Sequence, residues 1–237
     1  MRLNIFIILF IIYLCSCKKD IYENFALLQI NGEYNFIFTN GICDIRLKND
    51  TISKIVIEYN PENHFIKNKI FNDTLYLNFE IRHGLKPIKN KPLVNIFFRD
   101  IKKLVTRGPS YVFSDDTIKF TNIVYYSIGE IGSANLKLNC NIFDMANSAN
   151  TLGHYYFKGI VNYLILYNRY GSTIFADSVN ANNALIINES AGDVYVNVKK
   201  QLDVYIQGTG NIFCKNKPEI LNIIEDRGKG GKIIFLN

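Results

Sequence analysis

The sequence predicts an all-β fold, a parallel β-helix or β-solenoid with coils of about 20 residues, preceded by a cleaved signal peptide. Three observations predict it. Short stretches alternate apolar and polar residues, with turn residues between them. From about residue 101 onward the same strand–turn–strand unit recurs. After residue 17 no stretch holds a helical period of 3.6 residues over three turns.

The chain has 237 residues, 27 Lys plus Arg against 21 Asp plus Glu, and a net charge of +6. Hydrophobic residues make up 48%, which excludes a disordered chain. The 15 glycines follow no triplet repeat, which excludes collagen. No run of 18 apolar residues is present, so no conventional transmembrane helix is predicted. The basic excess is scattered in short pairs: Lys18-Lys19, Lys102-Lys103 and Lys199-Lys200. A nucleic-acid binder gathers its cations into one stripe, so no nucleic-acid partner is expected.

Residues 1–16 have the form of a lipoprotein signal peptide. Met1-Arg2-Leu3-Asn4 is a basic start, and Ile5 to Leu14 is an apolar run too short to span a bilayer. Leu14-Cys15-Ser16-Cys17 resembles a bacterial lipobox. The resemblance implies cleavage before Cys17, a diacylglycerol on its thiol and acylation of its amine. Several acyl chains suffice for stable anchoring, so a membrane is the expected partner of Cys17. Residues 17–24 follow as a lipidated tether. Cys43, Cys140 and Cys214 are too few and too scattered for a disulfide framework or a zinc site. They are read as small buried hydrophobes, and no metal or cofactor is expected.

The predicted β-solenoid domain spans 25–237, with amino-terminal strands over 25–100 and regular coils over 101–237. Alternation is plain in Glu33–Phe38, Lys54–Tyr59 and Thr74–Phe79. Asn31-Gly32, Asn40-Gly41, Asn60-Pro61 and Asn72-Asp73 mark turns. Pro87 and Pro92 among lysines mark an exposed loop at 84–92.

Small-residue turns then recur at Gly108, Gly132, Ser148, Gly171, Ala191, Gly208 and Gly228. The first inward apolar residue after each is read as Val112, Leu136, Leu152, Ile174, Val194, Ile212 and Ile233, at steps of 24, 16, 22, 20, 18 and 21. Such a unit cannot bury its apolar side alone, but stacked units can. The residue before the inward anchor is Asn135, Thr151, Thr173, Asp193 and Asn211 in five coils, which predicts a structural ladder of small polar side chains. Phe143–Lys158 is poorly regular, so a distorted coil is expected there.

Two segments resemble a known family. Phe25-Ala26-Leu27-Leu28-Gln29-Ile30-Asn31-Gly32-Glu33-Tyr34 is one. Gly208-Thr209-Gly210-Asn211-Ile212-Phe213, with Lys217-Pro218 and Gly228-Lys229-Gly230-Gly231, is the other. They are similar to the opening and closing coils of the putative auto-transporter adhesin head domain called the GIN domain, common in Bacteroidetes lipoproteins. The resemblance covers about residues 25–236 and implies a β-solenoid at the outer surface of a Gram-negative cell. It carries no catalytic residues.

With Val194 and Val196 inward, the outward row reads Lys137, Phe175, Tyr195, Phe213 and Ile234. Four large apolar side chains on successive coils form a candidate contact stripe for a glycan, a surface protein or a second copy of the chain. The rings could equally cover one another. On the other side of the coil, Leu164, Leu185, Val204 and Ile223 are read as inward, with Ile165, Ile186, Tyr205 and Ile224 outward. The expected function is a non-catalytic outer-membrane or cell-surface lipoprotein, adhesin-like or a scaffold. The alternative is a carbohydrate-active β-helix enzyme, which needs two facing carboxylates. Asp193 falls between Thr173 and Asn211 and Asp177 runs toward Asn197, so neither column supplies a pair. His64, His83 and His154 stand in unrelated segments, and His154 is read as packed.

Overall fold

The computed structural model describes residues 25–82, 90–129, 131–148 and 150–236. The signal segment, Cys17, the tether, His83 and most of the predicted loop 84–92 lie outside the described residues. Among the described residues every regular element is a strand, and the strands join one 16-stranded sheet. In chain order they are β1 (Ala26–Asn31), β2 (Phe36–Asn40), β3 (Cys43–Asn49), β4 (Lys54–Tyr59), β5 (His64–Phe71), β6 (Thr74–Ile81), β7 (Leu93–Phe98) and β8 (Lys103–Arg107). There follow β9 (Ser110–Ile128), β10 (Gly132–Asn147), β11 (His154–Tyr170), β12 (Thr173–Ser190), β13 (Val194–Ile206), β14 (Ile212–Cys214), β15 (Ile220–Asp226) and β16 (Ile233–Phe235).

The sheet winds into a solenoid of about six turns with coils about 20 residues apart. From β9 onward each strand pairs in parallel with the next coil. Buried positions show how one coil is built. In β12 they run Ile174, Ala176, then Val179, Ala181, then Ala184, Ile186, Asn188 and Ser190. Alternation by two is the strand period. It breaks at two places, where the chain turns a corner. A coil therefore has three arms, near 173–177, 178–182 and 183–190, and the small-residue turn makes the third corner. All three arms direct apolar side chains into one shared interior.

The inward column of the first arm is Ile45, Val112, Ala134, Tyr155, Ile174, Val194, Ile212 and Ile233. This corrects the predicted anchors. Leu136 lies one inward position further on and pairs with Phe157, while Leu152 is half exposed in the turn. With Ala134 and Tyr155 in their place, the steps from Val112 become 22, 21, 19, 20, 18 and 21. Over the predicted distortion at Phe143–Lys158, β10 and β11 pair from Ala134↔Tyr155 to Ala146↔Tyr167 apart from one unpaired position, while β11 shifts register against β12 between Tyr156 and Lys158. Two unpromising residues hid the regularity. Ala134 is small, and Tyr155 is an aromatic whose buried hydroxyl donates to Ser127 Oγ at 3.0 Å. On the third arm Leu185 is outward and Ile186 inward, paired with Leu166 and Val204.

The amino-terminal end is built out of chain order. β2 and β3 make a coil directly beneath β8 and the start of β9, with Ile37↔Leu104 and Ile45↔Val112. The chain then leaves this stack and lays β6 and β7 in parallel beneath β2 and β3. Antiparallel strands close the stack: β4 on β7, β1 on β4, and β5 on β6. The second arm starts at β9, where the Asn49 side chain accepts from Lys119 N at 2.6 Å and donates to Lys119 O at 2.9 Å. That amide satisfies an otherwise unpaired strand edge.

Candidate functional site

One outward row runs the length of the first arm, directly after the inward anchor. From Arg46 it continues through Phe113, Asn135, Tyr156, Phe175, Tyr195, Phe213 and Ile234. The predicted contact residues Phe175, Tyr195, Phe213 and Ile234 are consecutive members of this row. Lys137 is not a member; it sits past the first corner, paired with Thr117 and Lys158. Tyr156 belongs to the row and was missed, because the anchor of its coil was placed at Leu152. A step of 19 back from Phe175 is the signal that finds it.

The rings stack on one another. Tyr156 and Phe175 lie 4.7 Å apart at 4°, Phe175 and Tyr195 5.0 Å at 12°, and Tyr195 and Phe213 4.7 Å at 9°. Parallel in-register pairing sets the spacing, since neighbouring strands lie about 4.8 Å apart. Phe175 and Tyr195 therefore have both faces covered, and their edges meet solvent. Tyr156 differs: Phe175 covers one face, and the short side chain of Asn135 lies beyond the other. Its exposure is 47%, above the half-buried rings that follow. His154 is exposed rather than packed, tilted against Phe175 with centroids 6.3 Å apart.

The predicted polar ladder divides. Thr173, Asp193 and Asn211 occupy one column; Asp193 Oδ1 accepts from Asn211 N at 2.7 Å, and Asn211 Oδ1 from Lys232 N at 3.1 Å. Asn135 lies in the aromatic row, and Thr151 is buried in the turn against Ser148 and Ser127. Three other ladders went unread. Outside, Asn122, Asn141, Asn162 and Asn182 are linked amide to amide at 3.0–3.3 Å, as are Asn180, Asn197 and Asn216 at 2.8–3.0 Å. Inside, Thr39, Thr106, Ser127, Asn147, Asn168 and Asn188 form a fully buried column at the turn. Asn147 binds Arg169 O and Ser172 Oγ, and Asn168 binds Ser172 O and Asn188 Oδ1.

Burial pushes the thiols of Cys43 and Cys140 up to about 12 and that of Cys214 to about 11. They are neutral, free and buried. Asn197 joins the amide ladder rather than Asp177, and Asp193 faces Thr173 and Asn211. Among the described residues neither aspartate is hydrogen-bonded to a second carboxylate.

Residues 33–218 match the family described as putative auto-transporter adhesin, head GIN domain. The chain belongs to this family. Solved structures with a similar fold include a putative adhesin from Bacteroides fragilis, with TM-score 0.77 and 19% identity, matching over 90% of this chain and 98% of that one. A putative lipid binding protein from Parabacteroides distasonis matches with TM-score 0.63 and 18% identity over 91% and 98%. A putative adhesin from Parabacteroides merdae matches with TM-score 0.56 and 15% identity over 91% and 98%. At these identities the likeness concerns the fold of the GIN domain. Among proteins with curated descriptions, none matches the chain.

Proposed function

We propose that this GIN domain is a non-catalytic, adhesin-like surface module that holds a partner against the first-arm face. The observation that carries this reading is the outward row of partly exposed aromatic side chains on four consecutive coils, Tyr156 to Phe213. A rigid apolar strip rimmed by polar side chains is the usual form of a contact surface. Family membership among adhesin head domains supports the same reading. The lipobox-like segment ending at Cys17 completes it: acyl chains tether the domain to the outer membrane of a Gram-negative cell and leave the solenoid free to meet its partner.

Beads coated with the full chain test the adhesive part. They are expected to adhere to host-type epithelial cells, and beads coated with the F175S/Y195S/F213S variant to adhere several-fold less. Equal adhesion by a folded variant removes the first-arm face from the mechanism. Metabolic labelling with a fatty acid tests the tether: label enters the wild type and is absent from Cys17→Ser.

A further inference from the structure

The aromatic row is interrupted at one rung, and the interruption has the chemistry of a sugar subsite. Asn135 pairs with Phe113 on one side and Tyr156 on the other, so an amide stands between two rings of the row. The face of Tyr156 turned toward Asn135 is the one large ring face in the Tyr156–Phe213 stack that no stacked ring or Ile234 side chain follows in register. A cleft of about 260 Å³ runs past Tyr156 from Asn135 on one neighbouring coil to Phe175, Asp177 and Ser178 on the other, with Phe157 and Lys158 also in its lining. Among the described residues the side chains of Asn135, Lys158, Asp177 and Ser178 make no hydrogen bond or ion pair with one another or with any other group. The site thus offers one flat apolar surface ringed by an amide, an ammonium, a carboxylate and a hydroxyl.

We infer that this cleft binds a single pyranose ring of a glycan, with Tyr156 against the apolar ring face and Asn135, Asp177 and Lys158 on the hydroxyls. The inference rests on the adhesin-like reading above and places its contact at the end of the ring stack rather than along the middle. A hydroxylated ring fits better than an aromatic side chain from a partner protein. An aromatic would cover the Tyr156 face but strip water from the amide and both charges without replacing it, leaving each of those groups unpaired. A pyranose brings donors and acceptors for all of them. The cleft volume is just below the range of drug-sized sites, which suits one ring rather than an extended chain.

The substitution Asn135→Phe tests this by completing the row. The new ring would occupy the Tyr156 face, so the variant is expected to unfold at the same or a higher temperature and to lose glycan retention. A glycan array probed with the full-length chain gives the readout. The wild type is expected to retain at least one glycan, Asn135→Phe none, and Glu33→Gln, exposed in the β1–β2 connection and outside the cleft, the wild-type set. Asp177→Ala is a second probe at a partly exposed position and is expected to weaken retention at least about tenfold. If the wild type retains no glycan, or Asn135→Phe retains the same glycans equally, the subsite is wrong. The bead assay separates the two proposals. Beads carrying Asn135→Phe that still adhere to cells leave the adhesin-like reading standing without the sugar subsite, whereas wild-type beads that fail to adhere remove that reading itself.

Discussion

Ring stacking in the first-arm row is a stability device as well as a surface. Replacing Phe175 by Ala removes two stacked neighbours at once. Each such pair is worth about 0.5–1.5 kcal/mol beyond its buried area, so a loss of about 1–3 kcal/mol from this source is expected in denaturant titration. Phe213→Ala, with one stacked ring, is expected to lose less. Equal losses would mean that the rings do not act as a stack. Buried amides matter for a different reason. Asn188 is fully buried and its amide donates to Gly210 O at 3.0 Å. Asn188→Leu strands that carbonyl and is expected to cost about 1–3 kcal/mol, although leucine is the more hydrophobic residue. Asp144 gives a pH signature. Desolvation holds its carboxyl above the ordinary value, against the opposing field of Lys103. A carboxyl raised in the folded state binds its proton more tightly there, so its contribution to stability fades as pH rises through and above the carboxylate range. Asp144→Asn is expected to lessen that fall in melting temperature between about pH 4 and 7. A steeper fall would contradict the assignment.

At the scale of the element, in-register stacking demands close approach at the turns. A Cβ on Gly192 would lie 2.1 Å from Ser172 O, and one on Gly210 would lie 2.0 Å from Gly192 O. These are backbone atoms of the neighbouring coil, so Gly210→Ala must push two coils apart. It is expected to lower the melting temperature more than Gly171→Ala, where the nearest atom is the end of the flexible Leu152 side chain. The same stacking explains what could be read in advance. Alternation and recurring turns made the fold class legible, because every coil repeats both signals. Register was legible where the inward anchor is β-branched, at Ile174, Val194, Ile212 and Ile233. It slipped where the anchor is Ala134 or Tyr155, neither of which announces an interior, and that slip hid Tyr156. On the third arm, Leu185-Ile186-Ile187 is apolar throughout, so parity cannot be chosen without the neighbouring strands. The buried Thr39–Asn188 column was not legible either, since Asn and Ser near turns look solvent-facing unless the stack encloses them.

The whole molecule has two unlike ends. Antiparallel strands close the amino-terminal end; only the β5–β6 hairpin there has a local signal, the Asn72-Asp73 turn, because β4 pairs β7 and β1 pairs β4 across about 30 to 40 residues. The carboxy-terminal coil shows its interior column. Ile223 continues the inward column of Leu166, Ile186 and Val204, yet it is 56% exposed while those three are fully buried. Ile220 and Ile224 are also exposed beside it, with Arg227 paired to Glu225 nearby. An apolar strand edge of this kind invites edge-to-edge pairing. Ile223→Lys is therefore expected to reduce concentration-dependent self-association in sedimentation without lowering the melting temperature much; unchanged association would show that this end is not sticky. The most direct test of the account measures how distance grows along the column just outside the inward anchors. Spin labels at Lys232 paired in turn with Thr173, His154, Ser133 and Tyr111 span three, four, five and six coils. Stacked coils predict separations rising in equal steps of about 4.8 Å per coil. Separations that do not rise steadily from Thr173 to Tyr111 would contradict it.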